Sequence, residues 1–294
     1  MLDASACPEP MLSAGETSAG FTVRRVVPLP EIRITAYELE HGATGAQVLH
    51  LHCTDRENLF AVAFRTPPHD STGLPHILEH SVLAGSERYP VKDAFNELLR
   101  GSLQTFINAF TYPDKTIYPV ASQVKADFYN LARVYADLVF RPRLLPETFR
   151  QEGHHLEWTA TPAGGRELDI SGIVYNEMKG AYSSPDNLMY KALQENLFPD
   201  TVYRFDSGGN PRDIPNLTHD DFRAFHEGRH VLSRRALDDQ LDFLVDPVAY
   251  ITLAVDVPED EIVLAPGNRL ADYLIEVFVV DAFCIDFHFP LQIC

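Results

Sequence analysis

GLPHILEHSVLAGS, residues 73–86, places His76 and His80 four positions apart, with Glu79 beside the second histidine. Apolar Ile77, Leu78, Val82 and Leu83 recur at helical spacing around them, which predicts a helix from Leu74 to about Ala84. Residues i and i+4 of a helix lie on one face a turn apart, so both imidazoles can address one ion. Glu79, three positions after His76, projects close to the same face. A catalytic zinc keeps three protein ligands and one open position. A carboxylate that reaches the zinc-activated water without being a ligand can serve as general base when that water attacks a carbonyl. The order is inverted relative to His-Glu-x-x-His, yet the turn-to-turn distances are the same. Taken alone the five residues are a weak signal, because an exposed helix with two solvated histidines and a glutamate reads identically.

A third ligand has to come from elsewhere. GIVYNEMKGAYS, residues 172–183, carries Glu177 among apolar Ile173, Val174 and Met178, and a carboxylate on such a helix needs a partner. An ion pair with a nearby lysine or arginine would satisfy it equally. QEGHHLEW, residues 151–158, competes with Glu152, His154 and His155. Adjacent histidines at a helix-to-strand junction point in different directions, which ranks this set second.

Away from the motif, IRITAYELEH, AQVLHLHC and LFAVAFRT alternate with period two and are separated by turn-like GATG and TDREN, predicting an antiparallel strand meander. VKDAFNELLRGS and VKADFYNLARVYADLVF read as amphipathic helices, and PETFRQEGHHLEW opens with proline at a first helical position. DISGIVYNEMKGAYSS and DNLMYKALQENLFP read as two more, and Thr218 with Asp221 forms a capping box for another. LQTFINAFTYPDKTIYPVAS reads as two strands joined at Tyr112–Lys115. Strands followed by many helices give an α+β class, an antiparallel sheet with helices packed on one face. The expected organisation is a loose N-terminus over 1–20, a main domain over 21–231 and a divergent tail over 232–294, in which YITLAVDV has strand character.

The formal charge of -18 argues against nucleic acid, which needs a basic face. No run approaches the length of a membrane span. Cys7, Cys53, Cys284 and Cys294 form no C-x-x-C pair, and the first twenty residues lack the features of a secretory or transit peptide, so a cytoplasmic protein is expected.

FRTPPHDSTGLPHILEHSVLAGSERYP, LQTFINAFTYPDKTIYPVAS and GIVYNEMKGAYS together resemble the presequence protease branch of the M16 (pitrilysin-like) zinc peptidases, over roughly Ile32 to His230. The resemblance implies Zn2+ held by His76, His80 and Glu177, with Glu79 as general base. The 97 positions from His80 to Glu177 are similar to that branch. It also implies unfolded or short peptide substrates added as a strand to an exposed sheet edge. TFINAF fits that edge, with Asn108 orienting the peptide and Ala109 and Phe110 flanking it, although Asn108 could instead simply cap a strand. Members of the branch are far longer, so a truncated form with weak activity alone is expected. A C-terminal half or self-association is the expected partner, and an idle peptide-binding module is the alternative. A zinc lyase with an inverted motif would need a cysteine ligand; Cys53 precedes the motif and residues 172–183 have none.

Overall fold

The computed structural model describes residues 7–43, 45–162 and 164–227, together with the backbone of 251–256. Most strands belong to one nine-stranded sheet. Its N-terminal part is a meander of β1 (Thr17–Ser18), β2 (Phe21–Leu29), β3 (Ile34–His41) and β4 (Gln47–His52), all antiparallel, with a register shift between Val23 and Arg25. The alternation read from the sequence is what makes this pairing: Tyr37 and Leu39 meet Val23 in a small buried cluster.

The expected meander does not continue directly into β5 (Asn58–Arg65). A strand from much later in the chain, β11 (Ile251–Asp256), runs between β4 and β5, antiparallel to the first and parallel to the second. The sheet therefore takes in backbone beyond residue 231, within the span read from sequence as a tail. The rest of that span lies outside the described residues.

The second half of the sheet is β5, β8 (Lys115–Ser122) and an edge made of β6 (Phe106–Ile107) and β7 (Phe110–Thr111), both paired with β8. Its helices are α1 (Leu74–Val82), α2 (Ala94–Gly101), α3 (Lys125–Phe140), α4 (Pro146–Glu152), α5 (Ile173–Ala181) and α6 (Pro185–Leu197), with a further α7 over 219–227. Asp93 caps α2 by accepting from Asn96 N, and Ser184 caps α6 from Asn187 N. Phe60, Val62, Phe64, Tyr118 and Val120 of the strands close on Ile77, Leu78, Phe128, Leu131 and Leu138 of α1 and α3 in one core. Each such side chain contributes about 1.5–3 kcal/mol on burial. This is the α+β arrangement expected, and the core locks α1 onto the sheet by its apolar side while His76 and His80 face away.

Between α4 and α5 the chain forms a hairpin, β9 (His155–Ala160) with β10 (Arg166–Ser171), where the sequence reading ran the helix opened by Pro146 on through residues 155–158 and began the next at Asp169. Residues 155–160 and 166–171 alternate with period two about a Gly-Gly turn, and that pattern prevails.

Candidate metal centre

The start of α1 decides where the histidines point. Gly73 takes the left-handed φ of 71° immediately before the helix and Pro75 fixes the first turn. A turn apart, the His76 and His80 rings lie 4.9 Å centroid to centroid. Each is fixed through Nδ1. His76 Nδ1 donates to Gly208 O at 3.1 Å, which assigns the Nδ1–H tautomer and frees Nε2. His80 Nδ1 faces Glu152 Oε2 at 3.4 Å. Both free Nε2 atoms turn to one carboxylate oxygen, Glu177 Oε2, at 3.7 and 3.8 Å.

These three donors lie within 4.8 Å of one another, and among the described residues they form the one such cluster. Tetrahedral zinc with bonds of about 2.0–2.1 Å sets its ligands about 3.3 Å apart. Glu177 Oε2, on a side chain that is 43% exposed, lies within a few tenths of an ångström of that spacing from each imidazole nitrogen. Two imidazoles and a carboxylate are a three-ligand set of the kind that leaves zinc a coordination position to spare. Electrostatics point the same way. Burial lowers the pKa of His80, but the hydrogen bond to Glu152 and the charges of Glu79, Glu152 and Glu177 outweigh it and carry it above 6.5. Surroundings that favour a proton there also favour a cation.

Glu79 is buried beside the histidines and accepts from Thr111 Oγ1 at 2.6 Å. Beneath it lie the hydroxyls of Tyr118 and Tyr135, whose pKa values are pushed well above 10 by burial and then by the charge of Glu79, so both stay protonated.

The competing ligand set is dispersed. Glu152 stands behind His80 rather than with Glu177, and orients the ring. His154 Nε2 donates to Leu217 O at 3.0 Å, and His155 Nδ1 to Arg150 O at 2.8 Å. Thr111 and Gly208 were not anticipated from sequence. Thr111 carried a signal: it lies two positions after Ala109, on the same side of the edge strand. Gly208 sits in a loop with nothing in its spacing to connect it to residue 76.

The edge strand bears Asn108, Ala109 and Phe110. Residues 108 and 109 lie opposite Pro119 and Tyr118, and regular pairing breaks there because proline has no N–H to donate. Asn108 N still donates to Pro119 O at 3.2 Å, and Tyr135 Oη, at 3.2 Å from Asn108 O, replaces the missing donor. Alternation leaves Ala109 and Thr111 facing the free edge. Ala109 N donates to Asn108 Oδ1 at 2.9 Å, so the side chain of Asn108 covers the adjacent backbone donor of that edge.

Residues 65–160 match the family model Insulinase (Peptidase family M16). Presequence protease 1, chloroplastic/mitochondrial, of Arabidopsis thaliana is 52% identical over 200 residues, covering 67% of this chain and 18% of that protein. Protein HypA of Clostridium perfringens is 49% identical over 211 residues, covering 71% of this chain and 21% of that protein. The chain thus spans about a fifth of the length of these relatives. The crystal structure of pitrilysin aligns with a TM-score of 0.49 at 19% identity, over 81% of this chain and 22% of that one. No described helix is long and apolar enough to cross a membrane. At about half the residues identical across two thirds of its length, and with the matched segment running through the inverted histidine helix, this chain carries an M16 peptidase domain of the presequence-protease kind, the N-terminal one.

Proposed function

We propose that the chain is a zinc metalloendopeptidase domain that hydrolyses short or unfolded peptides. The observation that carries this is the convergence of His76 Nε2, His80 Nε2 and Glu177 Oε2 beside a buried, oriented Glu79. When bound, zinc supplies a water that ionises near neutral pH and an electrophile for the scissile carbonyl. Glu79 takes a proton from the water as its oxygen bonds to the carbonyl carbon, and returns it to the amide nitrogen as the C–N bond breaks. Thr111 occupies Oε2 of Glu79 and so leaves the other oxygen to face the substrate. The peptide adds to the Ala109–Thr111 edge as a strand, displacing the side chain of Asn108 from Ala109 N. Asn108 is then free to pair with the incoming backbone, and Phe110 lies beside it.

The proposed partner is a further polypeptide that closes over this edge, or a second copy, since the relatives are far longer, the matched region covering only 18% and 21% of them. The turnover proposed for the chain alone is slow. The same length difference, with the covered Ala109 donor, favours one second reading, a peptide-binding module without turnover.

Cleavage of a short fluorogenic peptide by the 294-residue chain, with and without chelator, tests the proposal against its Glu79→Gln variant. Chelator-sensitive cleavage in wild type, lost in a variant with undiminished zinc, is the expected result. Zinc binding and peptide binding without cleavage in both would establish the second reading. Loss of zinc on Glu79→Gln would make Glu79 a ligand and overturn its role as base.

A further inference from the structure

His76 is fixed by a backbone carbonyl, and that carbonyl is itself held by a side chain well away from the metal centre. Asp206 Oδ1 accepts from Gly208 N at 3.1 Å, setting the turn that presents Gly208 O to His76. Its other oxygen, Oδ2, accepts from Tyr182 Oη at 2.7 Å and pairs with Lys191 Nζ. Tyr182 is the residue that ends α5, the helix bearing Glu177, and Lys191 belongs to α6. The Lys191 ammonium also lies 4.9 Å from the Tyr182 ring centroid. Asp206 N donates to Ser71 Oγ at 3.1 Å, and Asn210 N to Ser71 O at 2.8 Å, two positions before Gly73 at the start of α1.

One residue, its side chain only 14% exposed, thus joins three parts: its carboxylate links the loop behind His76 to the end of α5, and its backbone N–H ties that loop to the approach to α1. These connections lie along one wall of a cavity of about 490 Å³ that Asp70, Tyr182, Lys191, Tyr203 and Asp213 also line. Burial, then the bond to Asp206 and its charge, raise the Tyr182 pKa far above 10, so its hydroxyl remains a donor to the carboxylate.

We propose that Asp206 is a positioning residue for the metal centre: it aims the Gly208 carbonyl that keeps His76 in its Nδ1–H tautomer, and it ties that loop to the helix that carries Glu177. The inference rests on the proposed ligand set. Altering the group that hydrogen-bonds a metal-ligating histidine typically costs 10–100-fold in metal affinity. Asp206 acts one hydrogen bond further out, so the lower end, about tenfold, is expected.

The test uses the full chain with 15N-labelled histidine, zinc affinity by competition with a chromophoric chelator, and the His76 tautomer read from ring 15N shifts in metal-free protein. The resonance is assigned with His76→Gln. Asp206→Asn should weaken zinc about tenfold and shift His76 away from a pure Nδ1–H form, with the melting profile still cooperative. A folded Asp206→Asn with wild-type affinity and wild-type tautomer would overturn the proposal. Should Asp206→Asn not fold, Tyr182→Phe and Lys191→Met each remove one restraint while leaving the carboxylate. Weakened zinc in either supports the proposal, and unchanged affinity and tautomer in both overturn it. Absence of zinc binding in wild type would instead strike the ligand set, and the tautomer measurement would still decide whether Asp206 positions His76.

Discussion

Replacing Gly73 with alanine strikes the junction on which the metal centre hangs. Two costs can be worked out. The φ of 71° is left-handed, which costs an L-residue about 1–2 kcal/mol. The added Cβ would lie 2.7 Å from Gly208 O and 2.7 Å from Gly209 Cα, both backbone atoms that no rotamer change can move. Favourable carbon contacts begin near about 3.5 Å, so the two segments must part by nearly an ångström. Overpacking of this kind costs about 1–3 kcal/mol, giving about 2–5 kcal/mol in all. The displaced segment carries the acceptor of the 3.1 Å His76 bond, so zinc affinity should fall with stability, by about 10–100-fold. Gly180→Ala is the control: it lies within α5 and nothing stands within 4 Å of its Cβ, so it should gain about 0.5–1 kcal/mol. Urea unfolding of the metal-free chain and chelator competition measure both quantities. A Gly73→Ala protein within about 0.5 kcal/mol of wild type, the range of an ordinary surface substitution, with undiminished zinc affinity would refute the reasoning.

Three further outcomes follow from the site. His76→Ala, His80→Ala and Glu177→Ala should each lose most bound zinc by elemental analysis while His154→Ala keeps it; the reverse pattern would move the ligand set to the 151–158 segment. The raised His80 pKa stabilises the metal-free protein fully below pH 6.5, and that contribution is lost as pH rises through the folded value. Zinc needs the neutral ring, so occupancy should begin to fall above pH 6.5 as the solution is acidified, and a site that stays full to about pH 5 would contradict this. Ala109→Pro removes the edge donor that the peptide is proposed to use, so calorimetry should show weaker peptide binding at unchanged zinc content; equal affinity would place the peptide elsewhere.

The parts of this site that depend on local spacing were legible in the sequence. His76, Glu79 and His80 share a helix face because of their positions alone, and Glu177 stood out as a carboxylate on an apolar helix. The period-two runs gave the strands of the meander, and the apolar positions of α1 and α3 gave their buried sides. What failed to show depends on contacts across long separations. Gly208 meets His76 across 132 positions, and a carbonyl used as an acceptor leaves no mark on composition. Glu152 was visible as a donor, but whether it meets the ion or the far side of His80 is decided by how α4 packs on α1. The hairpin of β9 and β10 was lost because its alternation adjoins helical runs at both ends.

The placement of β11 has a consequence for how the chain reaches its fold. β4 and β5 follow one another after a five-residue loop, Cys53–Glu57, yet they stay apart until a strand almost two hundred positions later arrives between them. Closing a loop of that size instead of the short one costs about 3 kcal/mol more in chain entropy. Pairings of such high contact order form late. The two halves of the sheet are therefore expected to collapse separately. The half holding β5, α1 and α5 contains every proposed ligand, together with Glu79 and Asp206. The proposed metal centre can thus assemble on an intermediate in which the sheet is still split, and zinc binding at that stage would hold this half together while the last strand finds its place.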